Sequence, residues 1–263
     1  MKLENKVAIV TGAAGGIGEA TAILFAQEGA TLAAVDLKEE TAARTVAKIR
    51  DAGGKAIAIG ADISVTADVR RIMERAVAEL GLPSILINNA GVDREGRIDI
   101  VDVSEEDFDR TIEVNIKGTW LMMKYAIPHM IAAGGGSIVN VASLAAFFAA
   151  SSAGYCASKA GVVAMSRVAA VELGRHNIRV NSLCPGATAT PMAREEGEKL
   201  KALGKETSET MINRMSVLGR FATPLEQAKA ALFLASEDGS FASGAPFIID
   251  GGWTSLAGVR SPV

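Results

Sequence analysis

The sequence predicts one α/β domain, a doubly wound parallel sheet with helices on both faces. Three observations predict it. Short β-branched runs alternate with longer helical patterns along the chain. The runs are almost continuously apolar, as strands buried on both faces must be. The first run then passes straight into a glycine-rich turn and a helix. With 263 residues, 49% of them hydrophobic, the chain can fill one large core, so residues 1–263 read as a single domain.

The strands are expected, in order, at "KVAIV", "TLAAV", "KAIAI", "SILI", "SIVNV", "IRVNSL" and "PFIID". Helical segments lie between them. Ser104 precedes "EEDF", and acidic residues suit a helix N-terminus. "TPLE", residues 223–226, has a cap Thr, Pro at the first helical position and Glu three after the cap, a capping box. "LMMKYAIPHM" reads as an apolar helix holding Tyr125. Residues 188–215 are polar, charged and weakly periodic. They break the rhythm and read as an insertion over one sheet edge, a candidate lid over a site.

The turn after the first strand, "TGAAGGIGEA", spaces Gly12, Gly16 and Gly18 as GxxxGxG, with Gly15 extra. Glycines allow a tight turn and close approach to a pyrophosphate, and the following helix offers free N–H groups. The second strand ends in Asp36, eighteen residues after Gly18, followed by Leu37. A carboxylate there accepts from both adenosine ribose hydroxyls and repels a 2′-phosphate, so NAD is expected over NADP. Lys38 is the one residue nearby that argues the other way. Asp62 and Ile63 in "GADIS" sit at the next strand end, where Asp62 is expected to accept from the adenine amino group with Ile63 beside the ring. "LINNAGV" supplies Asn89, Ala90 and Gly91 after the fourth strand, an amide and small residues that admit a ligand.

Tyr155 and Lys159 share one helix face, four residues apart. A free tyrosine titrates near ~10 and is a poor base at neutrality. A nearby ammonium is expected to favour the phenolate, and a cationic nicotinamide to add to that. Ser143, at the end of the fifth strand, can hydrogen-bond the same substrate oxygen.

In this order the motifs resemble the short-chain dehydrogenase/reductase family, from residue 6 to 254. The resemblance rests on "TGAAGGIG", "NNAG", Asn115 in "VNIKG", Ser143, "YCASK", "IRVNSLCPG" and "DGG" at 250–252. It implies a Rossmann-like fold with seven parallel strands between helices, and hydride transfer between NAD and a secondary alcohol or ketone. It implies that Asn115 holds a water linking Lys159 to solvent, and that Lys159 also binds the nicotinamide ribose. Ile17 and Leu37 are implied as cofactor contacts. "PGATATPM" is implied to lie by the nicotinamide, through Pro185, Gly186, Thr188 and Thr190. Thr188 stands where the family often has Ile or Val. A homotetramer is implied, packed through helices around residues 104–130 and 154–175.

The substrate is expected to meet Asp93 and Arg94, Leu144 and Ala145, residues 147–153, and Met192, Met211 and Met215. "LAAFFAA" is apolar; as pocket lining it favours a hydrophobic or cyclic alcohol, and its phenylalanines read equally as core or subunit interface. An acyl-carrier-protein ketoreductase is an alternative, opposed by Asp36 and by a net charge of −3. A non-enzymatic dinucleotide-binding regulator is another, opposed by the intact Ser–Tyr–Lys set. The charge gives no basis for nucleic-acid binding, and the apolar stretches fall short of a membrane span. The N-terminus lacks signal-peptide architecture, and Cys156 and Cys184 have no metal-ligand or disulfide pattern, so a cytoplasmic protein without a metal is expected.

Overall fold

The computed structural model describes residues 1–263 except 97, 203, 208, 209, 213–215 and 257–263. Seven parallel strands form one sheet in the order β3-β2-β1-β4-β5-β6-β7. They are β1 (Val7–Thr11), β2 (Thr31–Asp36), β3 (Lys55–Gly60), β4 (Ile85–Asn88), β5 (Gly136–Val141), β6 (Ile178–Pro185) and β7 (Pro246–Ile249). Each falls on its expected apolar run. The strand order reverses between β1 and β4, and such a switch point opens a crevice at the carboxyl ends of the strands.

Successive strand residues feed opposite cores. Ile9, Leu86 and Ile138 face one layer, and Val10, Ile87 and Val139 face the other. The first layer is completed by α3 (Thr66–Leu80), α5 (Thr119–Ala132) and α6 (Ala153–Leu173). The second is completed by α1 (Gly16–Gln27), α2 (Glu39–Asp51) and α8 (Pro224–Ala235). Helix α4 (Glu105–Ile112) starts at Ser104, whose side chain accepts from Asp107 N, and α8 carries the expected capping box at Thr223 and Glu226. Between α4 and α5 the chain makes a π-turn, Glu113–Gly118. The segment expected as a weakly periodic insertion folds locally into α7 (Pro191–Ala202), and a parallel bridge from Thr188 to Ala222 fixes its base.

A buried polar chain ties this framework together. Asn88 Nδ2 donates to Asn140 Oδ1 at 2.8 Å, and Asn140 Nδ2 donates to Ser166 Oγ at 2.9 Å. All three residues are buried, and they join β4, β5 and α6. Buried amides hold their partners tightly because the unpaired state is costly. The Asn140→Ala variant is therefore expected to lose about 1–3 kcal/mol, since it strips a partner from both Asn88 and Ser166. Thermal denaturation followed by circular dichroism checks this, and an unchanged midpoint contradicts it.

Candidate active site

The cavity opens where the sheet reverses. Its wall on the β1 side begins with Gly12 (φ +66) and Gly16 (φ +56), whose left-handed backbone suits glycine. A Cβ on Gly18 would stand 2.0 Å from Gly12 O, so only glycine lets α1 begin this close to the turn. No side chain caps α1, and its first N–H groups keep their positive end free for an anion. Asn89 stiffens the turn by donating to Thr11 O at 3.0 Å and Gly12 O at 3.1 Å. The Asp36 carboxylate accepts from Ala14 N at 2.9 Å and Leu37 N at 2.8 Å, which points it into the cavity with acceptor capacity to spare. This cradle fits a dinucleotide: side-chain-free turn, uncapped helix, carboxylate at the ribose end.

The cavity, about 470 Å³, continues to Ser143, Tyr155 and Lys159. Ser152 caps α6 by accepting from Tyr155 N at 3.3 Å. Glu95, buried, accepts from Gly154 N at 3.0 Å, and a Cβ on Gly154 would collide with it at 2.0 Å. Two side chains thus fix the first turn of the helix that carries Tyr155. Lys159, 4% exposed, donates from Nζ to Val141 O at 2.9 Å, and its ammonium lies 5.5 Å from the Tyr155 ring centre. Gly91 comes so close that a Cβ there would lie 3.1 Å from Lys159 Nζ.

Burial dominates the electrostatics. It drives the Tyr155 phenol well above its ordinary value, and the Asp93 carboxylate adds to the rise while hydrogen bonding with Ser143 opposes it. Burial also lowers Lys159 to about 8. The sequence led us to expect Lys159 to pull Tyr155 down. Instead Tyr155 is raised, because its ring is desolvated and the ammonium is directed at a backbone carbonyl.

Most cofactor-side expectations meet at this cavity: Gly12, Gly16, Ile17, Asp36, Asn89, Ala90 and Gly91 on one side, Pro185, Gly186, Thr188 and Thr190 on the other. Gly18 lies beneath it as packing. Leu37 is exposed and does not line the cavity. Asp62 and Ile63 are not brought to the cavity. Asp62 is engaged by Arg110 at 2.7 Å and by Ser64, and Ile63 is core packed beneath Gly118. Asn115, in the π-turn, does not line the cavity. Its amide holds Val92 from both sides at 2.9 Å and donates to Ser158 Oγ, so it clamps the loop after β4 to α6.

On the substrate side, Asp93, Leu144, Ala145, Ser151 and Met192 line the cavity. Phe147 and Phe148 do not: they are exposed at 41% and 39%. Arg94 is turned to Asp107 at 3.4 Å, Met211 stands off the cavity, and Met215 lies outside the described residues. Sequence reasoning missed Glu95, Glu195, Phe221 and Trp253, the last three at the cavity wall. Gln227 was also missed. It is fully buried and donates to Ile249 O at 3.0 Å and Thr188 Oγ1 at 3.4 Å, bracing the loop after β6. No short motif marks these residues, whose partners are distant in the chain.

A family model described as enoyl-(acyl carrier protein) reductase matches residues 12–254. A 3-oxoacyl-[acyl-carrier-protein] reductase of Thermotoga maritima is 40% identical, covering 96% of this chain and 99% of its own. A D-threitol dehydrogenase of Mycolicibacterium smegmatis is 40% identical over 96% and 94%. A cyclohexanol dehydrogenase of an Acinetobacter species is 36% identical over 97% of both. A crystal structure of a short-chain type dehydrogenase/reductase from Mycobacterium marinum superposes with a TM-score of 0.88 at 32% identity, covering 96% of this chain and 97% of that one. The chain belongs to the short-chain dehydrogenase/reductase family, oxidoreductases that act at CH–OH groups with a nicotinamide cofactor, NAD or NADP.

Because Tyr155 is held protonated, alcohol oxidation, which needs its phenolate, is expected to speed up as pH rises from about 6 to about 9, while ketone reduction, which uses the phenol, changes little with Tyr155 protonation. Initial rates in both directions test the sign; a falling oxidation rate contradicts it. Tyr155→Phe is expected to lose on the order of 10²–10⁴-fold in kcat while its affinity for reduced cofactor, read by fluorescence, persists.

Proposed function

We propose that this chain is an NAD-dependent dehydrogenase of a secondary alcohol, hydrophobic or cyclic in its carbon frame. The observation that carries the reading is the convergence of Asp36, Ser143, Tyr155 and Lys159 on one cavity. The nicotinamide, when bound, accepts the hydride that leaves the carbinol carbon. The protein handles the proton. Ser143 and Tyr155 hold the alcohol oxygen, and Tyr155, as phenolate beside the positive charge an oxidised nicotinamide would bring, takes its proton as the carbonyl forms. In the reverse direction Tyr155 is the acid. Lys159, near about 8, is well matched to pass that proton on toward Asn115 and solvent. Leu144, Ala145, Phe221 and Trp253 give the cavity apolar walls, which supports a hydrocarbon frame.

The relatives include both a carrier-protein ketoreductase and alcohol dehydrogenases. An acidic carrier would approach a chain of net charge −3, which favours the small-molecule reading. We further propose a homotetramer: Trp120 on α5 and Val168 and Val171 on α6 leave apolar surface exposed on the helices expected to pair. No described helix is long and apolar enough to cross a membrane, and the free Cys156 and Cys184 suit a reducing cytoplasm.

NAD preference follows from Asp36, because a 2′-phosphate there would sit against a carboxylate. Turnover with NAD is expected to exceed that with NADP by roughly 100-fold, about 2.7 kcal/mol, and Asp36→Ser to erase most of the gap. Steady-state kinetics with both cofactors check this. Equal use of the two by the wild-type protein contradicts the assignment.

A further inference from the structure

Past Gly91 the chain runs along the cavity, and Asp93 lines it together with Gly96, Ser151 and Tyr155. The Asp93 carboxylate accepts from Ser151 Oγ, from Ser152 Oγ at 2.9 Å and from Gly96 N at 3.1 Å. Ser152 is the cap of α6, and Ser151 precedes Tyr155 by four residues. The carboxylate is therefore fixed to the start of the catalytic helix, near enough to Tyr155 to raise it.

Among the described residues no lysine or arginine pairs with Asp93. Its neighbour Arg94 is directed to Asp107 instead. An ionised carboxylate has about four acceptor positions, and the described residues fill three. Ser151 spends its own proton on Asp93, so its oxygen remains an acceptor. Where Asp93 and Ser151 line the cavity they present acceptors, and a carboxylate there is costly to dehydrate unless the ligand donates to it.

We infer that Asp93 and Ser151 form an acceptor pair for a second hydroxyl of the substrate, so that the substrate class is a diol or polyol: one carbinol reacts at Tyr155 while another donates to the pair. This rests on the dehydrogenase reading above and narrows it. A carboxylate-bearing substrate would be repelled by Asp93. An ammonium would pair with Asp93 but would share the cavity with the Lys159 cation and a cationic nicotinamide. A neutral hydroxyl satisfies the pair without either conflict. The chemistry is an ordinary two-electron oxidation. The reacting carbon gives its hydride to NAD and the hydroxyl gives its proton to Tyr155. The carbon becomes a ketone, and the second hydroxyl is unchanged.

The test compares kcat/KM, with NAD, for cyclohexanol, the cis and trans isomers of cyclohexane-1,2-diol and -1,4-diol, and trans-4-aminocyclohexanol. At least one diol is expected to exceed cyclohexanol by roughly tenfold or more, because a site built to bond a hydroxyl rejects the analogue lacking it. Asp93→Asn and Ser151→Ala should each bring that ratio toward one. The ratio is measured within each variant, so loss of folded enzyme scales both substrates alike and does not mimic the effect. Diols no better than cyclohexanol, an unchanged ratio in both variants, or an amino alcohol outperforming every diol overturns the inference while leaving the dehydrogenase reading intact. Reduction of NAD by none of these alcohols defeats the dehydrogenase reading itself, and the inference with it.

Discussion

The site depends on one buried charge. Lys159 places its ammonium inside the protein, where a cation is expensive, with the Val141 carbonyl 2.9 Å away as its hydrogen-bond partner. That contact reaches from α6 to the carboxyl end of β5, and so sets the depth at which α6 meets the sheet edge. Tyr155, four residues earlier on the same helix, is carried into the cavity by it. Gly91 has no side chain because the ammonium occupies that space. Asn115 then clamps the loop containing Val92 against Ser158, next to the lysine.

Around that charge the fold supplies two rigid supports. The sheet reverses between β1 and β4, which brings the glycine turn and "NNAG" to one crevice, where Asn89 stitches them together. The first turn of α6 is held by Ser152, Asp93 and Glu95, a serine and two carboxylates from a different loop. Negative charge at a helix N-terminus is stabilising. Here it also acts on chemistry, since Asp93 helps keep Tyr155 protonated. A stronger base therefore requires a positive group beside it, which the oxidised nicotinamide supplies. Binding of the right cofactor state and readiness to accept a proton are coupled by electrostatics.

Much of this was legible in the sequence, for identifiable reasons. Strands buried on both faces leave continuous apolar runs, so all seven could be read. That the glycine turn, Asp36, and Tyr155 with Lys159 meet at one cavity was readable because each stands at a strand end or on one helix face, at fixed local spacing. What stayed hidden depended on distant partners. Asp62 reads as an adenine contact until Arg110, far along the chain, is seen to occupy it. Phe147 and Phe148 read as pocket wall, core or interface alike, and a short 3₁₀ turn after Ser143 leaves them at the surface, outside core and cavity. Glu95 carries no local signal because its role exists only where Gly154 meets it. The direction of the Tyr155 shift was missed for the same reason: burial and Asp93 are both tertiary.

The central claim is that Tyr155 is a buried acid that becomes a usable base only beside a cationic nicotinamide. The chain has two tyrosines, Tyr125 and Tyr155, so tyrosinate absorbance can be titrated in the wild-type protein and in Tyr155→Phe and the difference assigned to Tyr155. The account predicts that this difference signal appears at clearly lower pH when NAD is bound than in the free protein. A Tyr155 titration that is the same with and without NAD would contradict it.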